Sequence, residues 1–337
     1  MEVAARIVRL PLAETFVIAR EAADYADVVH VSLTHDGVTG HGEAAPVDRY
    51  GESAESAIRF VDDHGALVGQ DPFALEDIGE RLSSIEGEQA AKSALDVALH
   101  DLQGKLLGIP AFRLLGFPRT GPPTSWTVWL GDPDDMARRA EKAAGTFRRL
   151  KLKLGGGDGL DVERVRAVSG ATDLPLMVDV NEAWTLEEAL DVLPQLAEIG
   201  VEYCEQPLRA GDGGGRELRA RSPIPIYVDE DCHTLADVEP CSEIAHGINI
   251  KLAKSGGIRE AIRMVHAARS LRMGVMLGCM LESGLCIAAG CCVAPLCDHV
   301  DLDGNILLRE DPWPGVELLD GIQAPSLEPG LGVAARA

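Results

Sequence analysis

The sequence predicts an α/β protein in which a parallel β/α barrel follows a smaller N-terminal α+β domain. The length of 337 residues exceeds one ordinary domain, and it accommodates a barrel of about 250 residues with an appendage. The 46% content of apolar residues is ample for a large core. Short apolar segments alternate with helix-length segments after residue 124, whereas the first 118 residues have a different pattern.

The first 118 residues have the pattern of an α+β domain. Three apolar segments predict strands, and the Asp36-Gly37 dipeptide between the second and the third is typical of a hairpin turn. Three segments with helical spacing follow. The predicted strands are 3–10, 27–34 and 38–43, and the predicted helices are 53–67, 72–83 and 87–104.

The Gly- and Pro-rich segment 116–123 is interpreted as a domain boundary. Eight strand candidates follow, with helix-length spacers between most of them, and this pattern predicts a parallel β/α barrel. The candidates are 124–130, 149–154, 174–179, 201–205, 224–229, 247–251, 274–277 and 299–302. We therefore expect an α+β domain at 1–118, a barrel at 119–304 and a C-terminal segment at 305–337 that returns to the first domain.

The charge balance and the apolar segments exclude several classes of partner. Lys and Arg number 31 against 54 Asp and Glu, and the net charge of −23 argues against nucleic acids and membranes as partners. The apolar segment 283–297 has 15 residues and contains Pro295, which is short of the ~20 residues that span a bilayer. The start of the chain lacks a signal-peptide pattern and the eight cysteines form no C-x-x-C motif, so we expect a cytoplasmic enzyme. The sequence leaves open whether the chain forms a homo-oligomer.

Lysine is rare in this chain, which has seven lysines and 24 arginines. Four of the seven lysines fall in two short segments, 151–153 and 251–254. Arginine stays protonated in proteins, whereas lysine can lose its proton. The distribution therefore indicates proton chemistry at these two places.

Charged residues end the second to the sixth predicted barrel strand. Positions 153, 179, 205, 229 and 251 are separated by 26, 26, 24 and 22 residues, about one β/α unit each. In a barrel these positions surround the C-terminal mouth, where active sites lie. Crowded carboxylates repel one another unless a cation neutralises them, and an all-oxygen set suits Mg²⁺ rather than zinc. We therefore expect Asp179, Glu205 and Asp229 to bind Mg²⁺.

Lys151 and Lys153 alternate with Leu152, so both point to the same face of their strand. We expect a neighbouring cation and the metal ion to lower the pKa of Lys153, which makes it a candidate general base. Lys251 lies beyond the predicted metal ligands and can approach a substrate from the other side. Two such lysines and a metal ion are the groups needed to remove a proton α to a carboxylate and return it on the opposite face.

These motifs resemble the muconate-lactonizing-enzyme subgroup of the enolase superfamily across the whole chain. The similarity lies in Lys-x-Lys at 151–153, Asp-Val-Asn at 179–181, Glu-Gln-Pro at 205–207, Asp229 and the segment 249–257. It implies a modified (β/α)₇β TIM-type barrel under an N-terminal α+β capping domain. It also implies a magnesium site and acid/base catalysis by Lys153 and Lys251, with Lys151 in a supporting role.

The last predicted strand narrows the range of reactions that the chain could catalyse. The segment 299–304, His-Val-Asp-Leu-Asp-Gly, resembles the Asp-x-Asp signature of dipeptide epimerases, in which Asp301 and Asp303 would bind a substrate ammonium group. The segments 16–20 and 48–53 resemble the two lid loops of L-Ala-D/L-Glu epimerases, so Arg20 is expected to pair with an acidic substrate side chain. The resemblance also implies that four further residues lie near the substrate: Ser125, Thr127, Glu282 and Ser283.

The expected function is therefore a 1,1-proton transfer at the α-carbon of the C-terminal residue of a dipeptide such as L-Ala-D/L-Glu. N-acylamino-acid racemases and o-succinylbenzoate synthases of the same superfamily are an alternative, although their substrates lack a free ammonium group. The segments 155–159 and 255–257 would fit a phosphosugar TIM-barrel enzyme with Lys251 as a Schiff-base lysine. A barrel without catalysis is expected to lack one of the three acids or two lysines, and all five are present.

Overall fold

The structure is a computed structural model that describes residues 1–336. Its N-terminal region contains a three-stranded antiparallel sheet and four helices: β1 (Glu2–Ile18), β2 (Glu21–His35), β3 (Val38–Ala44), α1 (Ala54–His64), α2 (Leu75–Ser83), α3 (Gln89–Leu107) and α4 (Ala111–Leu114). The predicted hairpin is present, and Asp36 and Gly37 in its turn have φ values of 49° and 76°. The segment 16–20 forms the end of β1 and the turn to β2, since β1 continues to Ile18 and pairs there with Glu21 of β2.

The helix α3 is buried on nearly every side because it lies between the N-terminal sheet and the rest of the molecule. Glycines let β3 approach it closely. A Cβ atom added at Gly42 would lie 2.0 Å from the carbonyl oxygen of Ala94 in α3. The glycines of β3 therefore allow α3 to pack directly against the strand backbone.

The barrel has eight parallel strands within residues 1–336: β4 (Trp126–Val128), β5 (Leu150–Lys153), β6 (Leu176–Asp179), β7 (Cys204–Glu205), β8 (Ile226–Val228), β9 (Gly247–Ile250), β10 (Gly274–Gly278) and β11 (His299–Asp301). Neighbouring strands follow one another in chain order. The first and last strands meet where the N–H of Ser125 donates to the carbonyl oxygen of Val300 at 2.9 Å. The predicted β/α barrel is confirmed.

Helices follow the first seven barrel strands, and a further β-strand completes the barrel. The helices are α5 (Pro133–Ala143), α6 (Asp161–Ala171), α7 (Leu186–Ile199), α8 (Gly215–Arg221), α9 (Leu235–Ile244), α10 (Leu252–Ser255), α11 (Ile258–Ser270) and α12 (Gly284–Val293). Both α10 and α11 lie between β9 and β10. This arrangement is the modified (β/α)₇β barrel that the resemblance implies.

Apolar and aromatic side chains fill the barrel below its mouth. Met177, Tyr203, Tyr227 and Met276 form a buried cluster, in which the two tyrosine rings are 4.8 Å apart. Side chains two positions apart on a strand point to the same side. Positions 179, 205 and 229 therefore lie one layer above this cluster and face the same interior.

The C-terminal segment contacts the N-terminal region. Leu308 forms a β-bridge with Leu12, and Gly330 forms another with Pro110. The segment also contains a small hairpin, β12 (Glu317–Leu319) and β13 (Ile322–Ala324), which the sequence did not predict. We propose the division into 1–118, 119–304 and 305–337 on these contacts; Ala337 lies outside the described residues. In the described part of the chain, no helix has the length and hydropathy needed to cross a membrane.

We expect Gly42→Ala to destabilise the protein, because the added methyl group would meet the backbone of α3. Overpacking of this kind costs about 1–3 kcal/mol. The free energy of unfolding in urea measures the effect. Gly145→Ala is the matched control, since a Cβ atom there has nothing within 4 Å. Equal stability of the two variants would contradict this explanation of the packing.

Candidate active site

The register of the barrel strands brings the predicted site residues to one level. Lys153 is opposite Asp179 across β5 and β6, and Asp179 is opposite Glu205 across β6 and β7. Asp229 directly follows β8 and Lys251 directly follows β9. All five are buried, and none is more than 8% exposed. Residues spread over about a hundred positions of the chain thus form one charged layer at the barrel mouth.

Lys151 lies at the centre of this layer. Its Nζ is 2.8 Å from Asp301 Oδ2, 2.7 Å from Glu205 Oε2 and 3.1 Å from Asp179 Oδ2. Burial alone would lower the pKa of Lys151, but the three carboxylates outweigh burial and hold the pKa well above its ordinary value. Lys151 therefore stays protonated and holds these carboxylates together.

The two lysines expected to move protons each contact one acid. Lys153 Nζ donates to Asp179 at 2.6 Å, and Lys251 Nζ donates to Asp229 at 2.8 Å. Burial lowers the pKa of Lys251, but Asp229 and Glu205 outweigh burial, so the pKa lies above its ordinary value. Asp229 and Glu205 thus oppose the lowered pKa that Lys251 would need to abstract a proton.

Lys254, the last lysine of the two segments, has a structural position. Its buried ammonium group donates to the carbonyl oxygens of Asp229 at 2.6 Å, Cys232 at 2.8 Å and Asn249 at 3.1 Å. It also donates to the carboxylate of Asp229. Its donors are therefore committed to holding the loops after β8 and β9.

The three acids predicted as metal ligands are buried, and neighbouring lysines compensate their negative charges to different extents. Burial raises the pKa values of Asp179 and Asp229, but the neighbouring lysines outweigh burial and hold both below the ordinary range. Burial and the charge of Asp179 keep the pKa of Glu205 above its ordinary value. Glu205 Oε2 lies 2.7 Å from the Lys151 ammonium group but makes no hydrogen bond.

This set of groups fits a hard divalent cation. Carboxylates on three adjacent strands supply the oxygen ligands that Mg²⁺ prefers. Glu205 Oε2 makes no hydrogen bond and the pKa of this acid stays raised beside Lys151, so a divalent cation would relieve a free-energy cost that the lysine leaves. Within residues 1–336, no three His, Cys, Asp or Glu side chains are already grouped closely enough to hold an ion. Lysine ammonium groups lie against the oxygens of all three acids instead.

A cavity of about 450 Å³ opens onto the charged layer and is lined by both the barrel and the N-terminal region. Three lysines line it, namely Lys151, Lys153 and Lys251. Of the residues expected to contact the substrate, Arg20, Thr127, Asp301 and Asp303 line this cavity, whereas Ser125, Glu282 and Ser283 do not. The cavity is a concave, partly polar space of the kind that binds a small molecule.

Asp301 and Asp303 differ in how far their charges are already compensated. Asp301 accepts hydrogen bonds from the Ser125 hydroxyl and from Lys151. Asp303 Oδ2 accepts from the backbone N–H of Thr127 at 2.7 Å. Burial and the charge of Asp301 raise the pKa of Asp303 to about 7. A cationic ligand would therefore stabilise the negative charge of Asp303 more than that of Asp301. Ser125 does not line the cavity and contacts it only through its hydrogen bond to Asp301.

The guanidinium group of Arg20 is paired with the barrel. Its Nη1 lies 2.8 Å from Glu230 Oε1 and 3.7 Å from Glu182 Oε2. Glu230 was not among the predicted site residues, although it directly follows Asp229. Burial and the charges of Asp229 and Asp179 raise the pKa of Glu230 to about 7. A role for Arg20 in reading a substrate side chain stays a prediction, and Glu230 would compete for the same guanidinium group.

Glu282 and Ser283 lie at the start of α12, where the barrel meets the N-terminal sheet. The backbone N–H of Ser283 donates to Glu43 Oε1 at 2.8 Å, and its hydroxyl donates to Glu43 Oε2. His30 Nε2 lies 2.8 Å from the same carboxylate. These contacts join Ser283 of the barrel to the N-terminal sheet, and neither Glu282 nor Ser283 lines the cavity.

Further polar residues that support the site were not identified from the sequence. Asn249 Nδ2 donates to Glu205 Oε1 at 2.6 Å, and the N–H of Asp229 donates to the side-chain oxygen of Gln206 at 2.8 Å. Asn249 precedes Lys251 by two positions on β9, so the alternation of a strand could have marked it as facing the same interior.

The glycine-rich segments that suggested phosphate binding already face carboxylates of the chain. The N–H of Gly155 donates to both oxygens of Asp161, at 3.1 and 3.0 Å. At the start of α11, the N–H of Arg259 donates to Asp96 at 3.3 Å. The geometry therefore gives no support to the phosphosugar alternative.

The barrel, the buried lysines and the clustered acids together define an enzyme of the enolase-like barrel class. The sequence from 1 to 116 matches the family described as "Mandelate racemase / muconate lactonizing enzyme, N-terminal domain". Residues 135–337 match the family described as "Enolase C-terminal domain-like". The chain therefore belongs to the mandelate racemase/muconate lactonizing enzyme family of the enolase superfamily, as its motifs predict.

Individual relatives are similar over nearly the whole chain. An L-Ala-D/L-Glu epimerase from Bacteroides thetaiotaomicron is 38% identical over 328 residues, which cover 96% of this chain and 85% of the relative. A dipeptide epimerase from Enterococcus faecalis V583, solved with Mg and the dipeptide L-Leu-L-Tyr, has a TM-score of 0.94 and 31% identity, with 98% of each chain covered. An N-succinyl Arg/Lys racemase from Bacillus cereus has a TM-score of 0.93 and 29% identity, covering 100% of this chain and 96% of the racemase.

Glu282→Gln is expected to change the pH dependence of stability. Burial and the charge of Glu43 raise the pKa of Glu282 to about 8. The folded state therefore holds this proton more tightly than the unfolded state, and wild-type stability falls as the pH rises toward about 8. The glutamine variant lacks this loss, so its advantage in free energy of unfolding should grow with pH. Urea denaturation of both proteins at a series of pH values up to about 8 measures the difference in free energy of unfolding. A difference that does not change with pH would show that Glu282 does not bind its proton more tightly in the folded state.

Proposed function

We propose that this protein is a Mg²⁺-dependent dipeptide epimerase, an isomerase that inverts the α-carbon of the C-terminal residue of a dipeptide. Dipeptides of the L-Ala-D/L-Glu type are the first candidates, since a relative bears that name. One observation carries the proposal: a single cavity is lined by Lys153, Lys251 and the pair Asp301 and Asp303. Groups for proton transfer and for ammonium binding thus face the same small molecule.

The acids Asp179, Glu205 and Asp229 would hold the Mg²⁺ ion. When bound there, the ion would stabilise the negative charge that develops on the substrate carboxylate as the α-proton leaves. Lys151 contributes a permanent positive charge beside the same acids. It would keep Asp179 and Glu205 in place rather than exchange protons, because its pKa is strongly raised.

Lys153 and Lys251 would move the proton. They belong to β5 and to the end of β9, which three strands separate around the barrel. A neutral lysine on one side removes the α-proton, and the ammonium group of the other lysine returns a proton to the opposite face. The two lysines exchange these roles when the other epimer is the substrate.

Asp301 and Asp303 would bind the α-ammonium group of the dipeptide, with Thr127 holding Asp303 in place. Ionised carboxylates form strong hydrogen bonds with ammonium groups. An N-acylated amino acid lacks this cation, so it would leave the charge of Asp303 uncompensated. The pair therefore favours a dipeptide over the N-acylated substrates of the racemase alternative.

We also propose a cytoplasmic location. All eight cysteines are free thiols, and seven of them are buried. Reduced cysteines are typical of proteins in the cytoplasm.

Arginine at either catalytic position would keep the positive charge but could not act as a base. We expect Lys153→Arg and Lys251→Arg each to slow α-proton exchange from one epimer by about 10²–10⁴-fold, while the other epimer still exchanges. Proton NMR of each epimer in D₂O measures the two rates separately. Lys142→Arg, at an exposed position, is the matched control. Full exchange from both epimers in either catalytic variant would contradict the two-base mechanism.

Asp303→Asn should change the pH dependence of dipeptide turnover. The pKa of Asp303 is about 7, so its negative charge develops as the pH rises through this value and the wild-type kcat/KM should rise with it. The variant should lose this component of the rise. It should also lose one charge-assisted hydrogen bond, which is worth about 1.5–3 kcal/mol or roughly ten- to a hundredfold in kcat/KM.

The measurement for Asp303→Asn is kcat/KM against pH for one dipeptide. Asp36→Asn is the control, since the Asp36 side chain is 83% exposed in a turn far along the chain from the site. If the asparagine variant at 303 kept the wild-type pH profile and rate, the proposed ammonium site would be wrong.

A further inference from the structure

The segment 48–53, here called the lid segment, contacts the barrel rim through a paired arginine. Arg49 donates from Nε to Glu182 Oε2 at 2.8 Å and from Nη2 to Glu182 Oε1 at 2.7 Å. The neighbouring Tyr50 ring lies 4.3 Å from the ring of His233. Asp48, Tyr50 and Ser53 of the lid segment line the cavity. The arginine therefore fastens a wall of the cavity to the barrel.

Glu182 is firmly held on the barrel side. Its side chain is 9% exposed, and it also accepts from the backbone N–H of Ala210 at 2.9 Å. The backbone φ values of Asn181 and Glu182 are 47° and 72°, in the left-handed region that residues other than glycine rarely adopt. Such a conformation persists only where its surroundings impose it. Glu182 therefore constrains the backbone between itself and β6.

This backbone leads directly to one of the two lysines. Asn181 Oδ1 accepts from Lys153 Nζ at 3.2 Å, and the N–H of Asn181 donates to Asp179 Oδ1 at 3.0 Å. Lys251 has different neighbours: Nζ donates to Asp229, and Met280 Sδ lies 4.0 Å away. The chain of contacts from the lid segment through Glu182 thus reaches Lys153.

We infer that Arg49 and Glu182 are positioning residues that couple the seating of the lid segment to the placement of Lys153. This inference rests on the proposed function, because it assigns the two residues to one of the two proton-transfer steps. Fastening Arg49 to Glu182 fixes Asn181, and Asn181 orients the Lys153 ammonium group toward the cavity. Loss of the pair should therefore impair the half of the reaction that uses Lys153 as the base.

The test compares α-proton exchange from each epimer of a dipeptide in D₂O for wild-type protein, Arg49→Met and Glu182→Gln. Both variants should slow exchange by about tenfold from the epimer whose exchange Lys153→Arg slows. Exchange from the other epimer should stay near the wild-type rate. If the ion pair only stabilised the fold, its loss would slow exchange from both epimers to the same extent. Arg49→Lys should restore part of the lost rate, since it returns one donor to Glu182.

Arg269→Met is the matched control. Arg269 makes two hydrogen bonds with Asp298, at 2.6 and 2.9 Å, its side chain is 39% exposed, and neither residue lines the cavity. It should leave both exchange rates unchanged. The Arg49 side chain is 37% exposed, so Arg49→Met carries the test even if Glu182→Gln fails to fold.

Equal slowing of both epimers, or no slowing of either, overturns the inference. Amide hydrogen exchange of the lid segment gives a second readout that does not depend on the reaction. Faster exchange there in Arg49→Met than in Arg269→Met supports the fastening of the segment, and equal rates overturn it. Wild-type protein that exchanges neither epimer overturns the proposed function and, with it, the coupling to Lys153.

Discussion

The ammonium group of Lys151 lies within 3.1 Å of carboxylate oxygens from three different strands, those of Asp179, Glu205 and Asp301. Burying a carboxylate costs several kcal/mol unless a cation compensates it. The positive charge of Lys151 therefore allows several buried carboxylates to lie close together at the mouth of this barrel. The pKa of Glu205 stays raised even beside Lys151, because burial and the charge of Asp179 outweigh the lysine, and a divalent cation there would add the missing positive charge.

The layered barrel interior and the N-terminal domain both serve this charged layer. Tyr203 and Tyr227 are buried in the layer below it and give the acids an apolar floor. The N-terminal domain closes the top, and the Glu43 carboxylate that accepts from Ser283 anchors it to α12. A site enclosed on both sides has the low dielectric environment in which fixed charges act most strongly on a reacting group.

The positions of the charged residues at the strand ends were predictable, because strand alternation and the repeat of β/α units determine them. Strand alternation put Lys151 and Lys153 on one face, and the repeat of β/α units brought Asp179 and Asp229 to the same mouth. The Arg20–Glu230 ion pair was not predictable, since it joins residues 210 positions apart and depends on how the two domains dock. The roles of the individual site residues remain proposals, whereas the fold and the family follow from the strand order and from the similarity to known relatives.

Deuterium incorporation in D₂O with Mg²⁺, using a library of dipeptides together with the N-acetylated form of each, tests the dipeptide epimerase function most directly. We expect a mass increase of one unit at the α-carbon of the C-terminal residue of free dipeptides, lost when the Mg²⁺ is chelated. Incorporation into the acetylated forms, which lack the ammonium group, should be much slower. Rapid exchange of the acetylated forms without exchange of any free dipeptide would show that the protein is not a dipeptide epimerase.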